Sequence, residues 1–150
     1  MTISLGKNTR CRVGILGSFS LESGTYLYTG SARGSGSASI EGRIGRHLGK
    51  RGRVFWHIDY LLSLRRCKVS ACVYSVTVRY VECAVSRRIQ ELTDGVFPVY
   101  GFGSSDCNCR SHLIYLQSYN TARTLASVTN TYRTLHLKPK LWNPNHMGLA

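Results

Sequence analysis

Two phenols and two cationic side chains stand close together in the sequence, on either side of a glycine- and serine-rich loop at residues 31–39. Tyr26 and Tyr28 are two residues apart, so on a strand they point to the same face. Arg43 and His47 are four residues apart, so on a helix they lie on one face. Phenols, a guanidinium and an imidazole brought together across one loop are suited to bind a phosphate group. The loop lacks the spacing of a phosphate-binding glycine loop and is predicted to be a connector.

Positive charge accumulates just after this loop. No acidic residue stands between Glu41 and Asp59, and the whole chain carries a net charge of +13 over 150 residues. That excess favours a polyanion, and DNA first of all, as the partner. A solvated helix face would carry such charges too. The prediction is that a phosphate backbone lies along Arg46, Lys50, Arg51 and Arg53.

The elements that position these residues follow from the apolar pattern. Alternation and β-branched residues predict strands at 2–5, 10–16, 25–30, 68–78 and 112–116, with residues 17–24 as a loop. Ser39 can cap a helix that runs to Leu48. Helical spacing predicts further helices at 55–64, 80–92 and 119–128. The chain therefore divides into one domain, residues 1–128, and a C-terminal tail, residues 129–150.

Cysteine and histidine supply a second group of chemically active residues. Cys107, Cys109 and His112 offer three soft ligands, and His57 or Asp59 could approach them from the helix at 55–64. A structural zinc site needs four ligands, and this spacing is not a strong zinc-finger spacing. The favoured interpretation is a tight loop of buried thiols, with zinc as the less favoured one. A third interpretation places the histidines and Asp59 around the cleft that holds Tyr28, as supporting polar groups.

Two absences in the sequence bound where the chain works. No apolar run approaches the length of a membrane span, and residues 1–10 lack the apolar core of a secretory signal. We therefore expect a cytoplasmic protein without a membrane partner, whose six cysteines are thiols or ligands rather than disulfides.

Three stretches resemble the DUF123 family, a branch of the GIY-YIG nuclease superfamily that is described as endonuclease III-related. They are GTYLYTGSA at 24–32, RIGRHL with WHIDYLL at 43–48 and 56–62, and GFGSSDCNCRSHLIY at 101–115. The resemblance covers roughly residues 3–128 in order. It implies an α/β (α+β) domain with a small mixed or antiparallel sheet flanked by helices.

The resemblance also implies hydrolysis of DNA phosphodiester bonds with one Mg²⁺ or Mn²⁺ ion. Tyr28 matches the tyrosine of the YIG element, and Arg43 and His47 match the catalytic arginine and the histidine one turn on. Glu82 matches the single metal-binding carboxylate. The tyrosine of the first, GIY-type element would fall before Met1, and Tyr26 is an imperfect substitute on the next strand.

Each of these residues has a plainer explanation. The tyrosines would be core aromatics, His47 would close a hydrogen bond under its helix, and Glu82 would be a favourable first-turn acid. The alternative function is a catalytically inactive nucleic-acid-binding module that keeps the basic face, with or without a zinc-stabilised Cys/His loop. A zinc-stabilised adaptor between proteins is the third possibility.

Overall fold

A computed structural model describes residues 1–35, 39–49 and 54–142. Its main layer is a five-stranded sheet in the order β6-β4-β1-β5-β7, and all neighbouring strands are antiparallel. This α+β architecture confirms the predicted fold class. In chain order the elements are β1 (Thr2–Leu5), β2 (Thr9–Val13), β3 (Gly17–Leu21), β4 (Gly24–Tyr28), α1 (Ile40–Leu48), α2 (His57–Leu62), β5 (Cys67–Tyr74), α3 (Glu82–Thr93), β6 (Leu113–Leu116), α4 (Thr121–Thr134) and β7 (Lys140–Trp142).

The sheet is covered on both faces, and the alternation of its side chains decides which residue goes where. On one face Ile3 and Leu113 pack with Ile58 and Leu61 of α2. On the other face the neighbouring strand positions pack against α3 and α4, through residues that include Leu27, Val73, Ile114, Val85, Ile89 and Val128. Because β1 lies in the middle of the sheet, its side chains are almost entirely excluded from solvent.

The predicted loop at 17–24 is wrong, because residues 17–21 form a strand. β3 pairs with β2 as a separate hairpin, with Cys11 opposite Phe19 and Arg12 opposite Ser18. Ser18 and Ser20 alternate with Phe19 and Leu21, which is the period of a half-buried strand. The flanking glycines and serines gave this stretch the composition of a loop.

Helix α4 continues past the predicted end at residue 128 to Thr134, and β7 beyond it pairs with β5. The described part of the predicted C-terminal tail, residues 129–142, therefore contains helix and strand. Thr124 and Thr131 lie on the buried face of α4, and each hydroxyl donates to the carbonyl four residues earlier. Buried threonines satisfied in this way provide a packing face that a count of apolar residues does not register. None of the described helices is long and apolar enough to cross a membrane.

Candidate functional site: a basic cleft beside a cysteine–histidine cluster

A cleft of about 660 Å³ opens beside the end of β4, between α1 and the segment that leads into α3. Its lining contains four residues singled out from the sequence: Tyr28, Arg43, His47 and Glu82. They come from β4, α1 and the first turn of α3. Arg33 and Arg79 also line the cleft, so arginines outnumber acidic residues there, the acids being Glu82 and Glu41. The fold therefore joins residues 28 to 82 into one cationic hollow.

Tyr28 is held between two glycines. A Cβ atom on Gly103 would lie 2.8 Å from the Tyr28 ring, so the ring would have to move, and one on Gly30 would lie 3.1 Å from it, which is a tight contact. Burial raises the pKa of Tyr28, and the negative charge of Glu82 raises it further, while Arg43 opposes them. The charge of Arg43 lowers the pKa of Tyr28 less than burial and Glu82 raise it. The phenol therefore keeps its proton at neutral pH and can donate a hydrogen bond.

Arg43 is anchored at the mouth of the connector loop. Ser39 caps α1 by accepting from the Gly42 N–H at 3.0 Å, which fixes the helix start four residues before Arg43. The Arg43 guanidinium donates to the backbone carbonyl of Ser31, and its Cζ lies 4.8 Å from the centre of the Trp56 ring. These contacts position one end of the guanidinium in the cleft wall.

Asp59 orders the other polar residues of α1. Its carboxylate accepts from Arg46 Nη2 at 2.5 Å and lies 3.1 Å from His47 Nδ1. Its Oδ2 atom also accepts from the backbone N–H groups of Phe55 and Trp56, at 3.0 and 2.8 Å. Burial alone would raise the pKa of Asp59, but these hydrogen bonds and the charge of Arg46 hold it below the ordinary value.

His47 is almost fully buried, and this decides its charge. Burial lowers its pKa, although the neighbouring Asp59 carboxylate acts in the opposite direction. A neutral His47 whose Nδ1–H donates to Asp59 keeps Nε2 as a free acceptor. Arg46, a predicted phosphate contact, is paired with Asp59, so its charge is already partly neutralised within the protein.

Glu82 begins α3 and faces His112. Its Oε1 atom lies 2.8 Å from His112 Nδ1, although the angles of this contact are not those of a hydrogen bond, and Nδ1 has no hydrogen-bond partner among the described residues. Burial works to raise the pKa of Glu82, but the close contacts with His112 and Ser31 and the charge of Arg43 lower it overall. The carboxylate is therefore ionised at neutral pH and keeps a second oxygen.

The structure does not bring every predicted residue to the cleft. Tyr26 is 1% exposed, its hydroxyl donates to the Glu22 carbonyl at 2.6 Å, and it stacks on Tyr115 outside the cleft lining. Three of the predicted backbone-binding cations, Lys50, Arg51 and Arg53, lie outside the described residues.

A second site lies directly behind Glu82. Cys83, Cys107, Cys109 and His112 place their ligand atoms within 4.8 Å of one another. His112 Nε2 is 3.8 Å from Cys83 Sγ and 3.6 Å from Cys107 Sγ. A tetrahedral ion with metal–sulfur bonds of about 2.3 Å and a metal–nitrogen bond of about 2.0 Å requires a separation of roughly 3.6 Å. The two His112–sulfur distances match this separation, and all four ligand atoms of these residues, hereafter the Cys₃His cluster, lie close enough together that they could hold one ion.

The chemistry of the donors narrows the choice of ion. Three thiols and an imidazole suit a soft ion such as zinc rather than Mg²⁺ or Mn²⁺. Burial raises the pKa of the Cys83 thiol to about 12, and the adjacent Cys109 and Cys107 raise it too, because thiolates so close repel one another. A bound cation would relieve that repulsion. The cluster could therefore hold a metal ion, and its donors favour zinc over the Mg²⁺ or Mn²⁺ that the sequence placed first.

Tight turns present two of the cysteines. Gly101 and Gly103 have φ values of 79° and 70°, which favour glycine, and the His112 N–H returns to the Phe102 carbonyl at 2.7 Å. His57 accepts from the Gly103 N–H at 2.9 Å through Nδ1. His57 thus supports the loop from outside. Neither it nor Asp59 belongs to the Cys₃His cluster, which corrects the ligand prediction for both.

Sequence reasoning missed Cys83, the fourth ligand. It lies on α3 next to Glu82 and 24 residues before Cys107, too far for any motif spacing. One signal was present: Cys83 falls off the apolar stripe of its helix, which runs through Val85 and Ile89 into the core. A cysteine outside the buried face of an amphipathic helix has no packing reason to be there.

Comparison with protein families matches most of the chain. The family model described as "Domain of unknown function DUF123" matches residues 1–135, which include Tyr28, Arg43, His47, Glu82 and the Cys₃His cluster. No curated protein and no solved structure matches the sequence.

Proposed function

The chain belongs to the DUF123 family, and we propose that it is a nuclease of the GIY-YIG type. It would hydrolyse DNA phosphodiester bonds with the help of a divalent cation. One observation carries the proposal. Tyr28, Arg43, His47 and Glu82 line a single cleft although they span 55 residue numbers. A guanidinium, an ionised carboxylate and neutral donors and acceptors are the groups that phosphodiester hydrolysis needs.

Arg43 and Glu82 divide the electrostatic work. Arg43 is always charged and offers a planar pair of donors to two phosphate oxygens. Glu82 Oε1 faces His112, and the carboxylate belongs to the lining of the cleft, where it would be a ligand for a cation. One carboxylate suits Mg²⁺ or Mn²⁺, which keep several waters and bind substrate phosphates. Such an ion, when bound, would stabilise charge on the phosphoryl and leaving oxygens.

His47 is better prepared than Tyr28 to accept a proton from the attacking water. Its lowered pKa keeps it neutral, and the Asp59 carboxylate 3.1 Å from Nδ1 orients the ring and supports the positive charge that forms. Tyr28 keeps its proton because its pKa is raised, and we assign it as a donor to a phosphate oxygen. Water then attacks phosphorus, His47 Nε2 takes the proton of that water, and the bond to the leaving oxygen breaks. The leaving oxygen, whose negative charge the cation would stabilise, takes a proton from solvent.

The Cys₃His cluster has a separate task in this scheme. With four protein ligands and no open position, it would be a structural zinc site that fixes the turn at 101–112 against α3. Zinc there would support the cleft without taking part in hydrolysis.

A catalytically inactive DNA-binding module is the second candidate, and one observation favours it. β1, the neighbour of β4, contains no tyrosine, and Met1 stands beside Tyr28 through hydrogen bonds of 2.9 and 2.7 Å between their backbones. Among the described residues of β1 and β4, Tyr28 is the one phenol that lines the cleft, whereas the superfamily pattern has two.

A plasmid-nicking assay separates the two candidates. Supercoiled plasmid is incubated with Mg²⁺ or Mn²⁺ and with the wild type, Arg43→Ala, Glu82→Ala or His47→Gln. Glu91→Ala and Arg133→Ala are matched controls, since Glu91 lies on the same helix as Glu82 and both controls are exposed and outside the cleft. We expect nicking by the wild type and both controls and a loss of at least about 100-fold in the cleft variants.

Nicking that survives in all three cleft variants would refute the hydrolytic assignment. A wild type that retards DNA in a gel and never nicks it, with binding weakened by Arg43→Ala, would support the inactive module.

A further inference from the structure

His112 is the residue through which the cleft and the Cys₃His cluster touch. Its Nε2 atom faces the sulfurs of Cys83 and Cys107, and its Nδ1 atom lies 2.8 Å from Glu82 Oε1. The ring is 1% exposed, so its two edges are occupied by the two sites and have no access to water.

Metal binding determines which ring nitrogen of His112 carries the proton. A metal ion on Nε2 uses the lone pair of that atom, so a neutral ring must carry its hydrogen on Nδ1, where it points at the carboxylate. With the hydrogen on Nε2, two lone-pair atoms would face each other 2.8 Å apart at Nδ1 and Glu82 Oε1. The arrangement of the side chains is therefore complementary to the metal-bound tautomer.

The backbone adds a second connection. Glu82 and Cys83 are consecutive residues in the first turn of α3. A metal bound by Cys83 and His112 would therefore fix Glu82 twice, once through the helix and once through the His112 ring.

We propose that the metal of the Cys₃His cluster positions Glu82 through His112: the Nδ1–H group holds Oε1, which aims the second carboxylate oxygen into the cleft. Glu82 is then a partner of the metal-bound histidine as well as a cleft residue, and it strengthens metal binding in return, since coupling between two sites is reciprocal. That the aimed oxygen serves hydrolysis rests on the function proposed above. The coupling itself does not.

Zinc affinity measures the coupling without any nuclease assay. Competition with a chromophoric chelator gives the zinc dissociation constant of the wild type, Glu82→Gln and Glu91→Gln. The Glu91 variant is the matched control, because Glu91 lies on the same helix and forms an exposed ion pair with Arg88. We expect one zinc per chain in all three and an affinity roughly 10- to 100-fold weaker for Glu82→Gln alone, as for other carboxylates that hydrogen-bond a metal-bound histidine.

The tautomer of His112 is the second measurement, and it distinguishes positioning from a general loss of stability. In the zinc-loaded wild type, nitrogen NMR of labelled histidine should show metal on Nε2 and hydrogen on Nδ1. In Glu82→Gln the Nδ1–H resonance should shift while folding, followed by circular dichroism, is unchanged. Unaltered zinc affinity in Glu82→Gln, or a zinc-loaded His112 with its hydrogen on Nε2, would overturn the proposal. Weakened zinc binding in a protein that never nicks DNA would uphold the coupling and refute only the hydrolytic function.

Discussion

Replacing Asp59 with alanine removes one carboxylate that joins α1 to the start of α2. Three sets of contacts disappear: the hydrogen bonds from the Phe55 and Trp56 backbone, the Arg46 ion pair and the contact with His47 Nδ1. Loss of a helix-start acceptor costs about 1 kcal/mol. The Arg46 pair is partly exposed and contributes roughly 0.5 kcal/mol. Leaving the buried His47 nitrogen unpaired costs about 1–2 kcal/mol.

Asp59→Ala should therefore lower the free energy of unfolding by about 2–4 kcal/mol, read from urea denaturation of the zinc-loaded protein. Asp59→Asn keeps one acceptor oxygen for the Phe55 and Trp56 backbone but loses the charge and the second acceptor oxygen, so it should lose less than Asp59→Ala. Glu91→Gln is the control, because it removes an exposed ion pair that contributes little. A loss below about 0.5 kcal/mol for Asp59→Ala would refute the claim that this carboxylate connects the two helices.

Three further outcomes follow from particular residues. Gly103→Ala should lower the free energy of unfolding by about 1–3 kcal/mol in urea denaturation, because φ is 70° there and the new Cβ would lie 2.8 Å from the Tyr28 ring. Gly45→Ala, which faces open space in α1, should instead stabilise the protein by about 0.5–1 kcal/mol. Equal effects of the two substitutions would contradict this prediction. His47 has a pKa in the folded protein below its unfolded value of about 6.5, so its contribution to the free energy of unfolding is complete above that pH and is lost as the pH falls below it. Asp59 adds a second loss of stability near and below pH 4. A urea midpoint that rises on acidification from pH 7 to pH 5 would refute the predicted direction. Chelation should remove one zinc per chain, lower the melting temperature and expose Cys107 and Cys109 to a thiol reagent, and unchanged reactivity would exclude them as ligands.

The sequence predicts the parts of this fold whose periodicity is carried by apolar side chains. Ile40, Ile44 and Leu48 place α1 to within a residue. Val69 and Val73 locate β5, although the β-branched residues at 76–78, which extended the predicted strand, lie beyond its end at Tyr74. It fails where the same packing is done by other residue types. Beyond residue 128 the buried position of α4 is Thr131, whose hydroxyl is satisfied and which carries no apolar signal. In β3 only Phe19 and Leu21 alternate with serines, which is too short an apolar pattern to stand out between glycines and serines.

The cleft and the cluster show a similar division. Tyr28, Arg43 and His47 lie within 20 residues of each other, and local geometry alone brings Arg43 and His47 to one face of a helix. Cys83 could not be assigned, because its place beside Cys107 depends on how α3 packs against the turn after residue 101. Long-range closure of that kind depends on the whole core, and no spacing rule within a single segment encodes it.

Helix α2 explains why the motif WHIDYLL is needed by both sites at once. Its apolar residues Ile58 and Leu61 are fully buried against the sheet, and this packing holds the helix in place. Its two polar residues then point to different sites: His57 accepts from Gly103 in the turn that carries the cysteines, and Asp59 holds Arg46 and His47 of α1. A six-residue helix thus fixes the metal-binding turn and the cleft wall relative to one another. Movement of α2 would disturb His112 and His47 together, which is why damage to either site should be transmitted to the other.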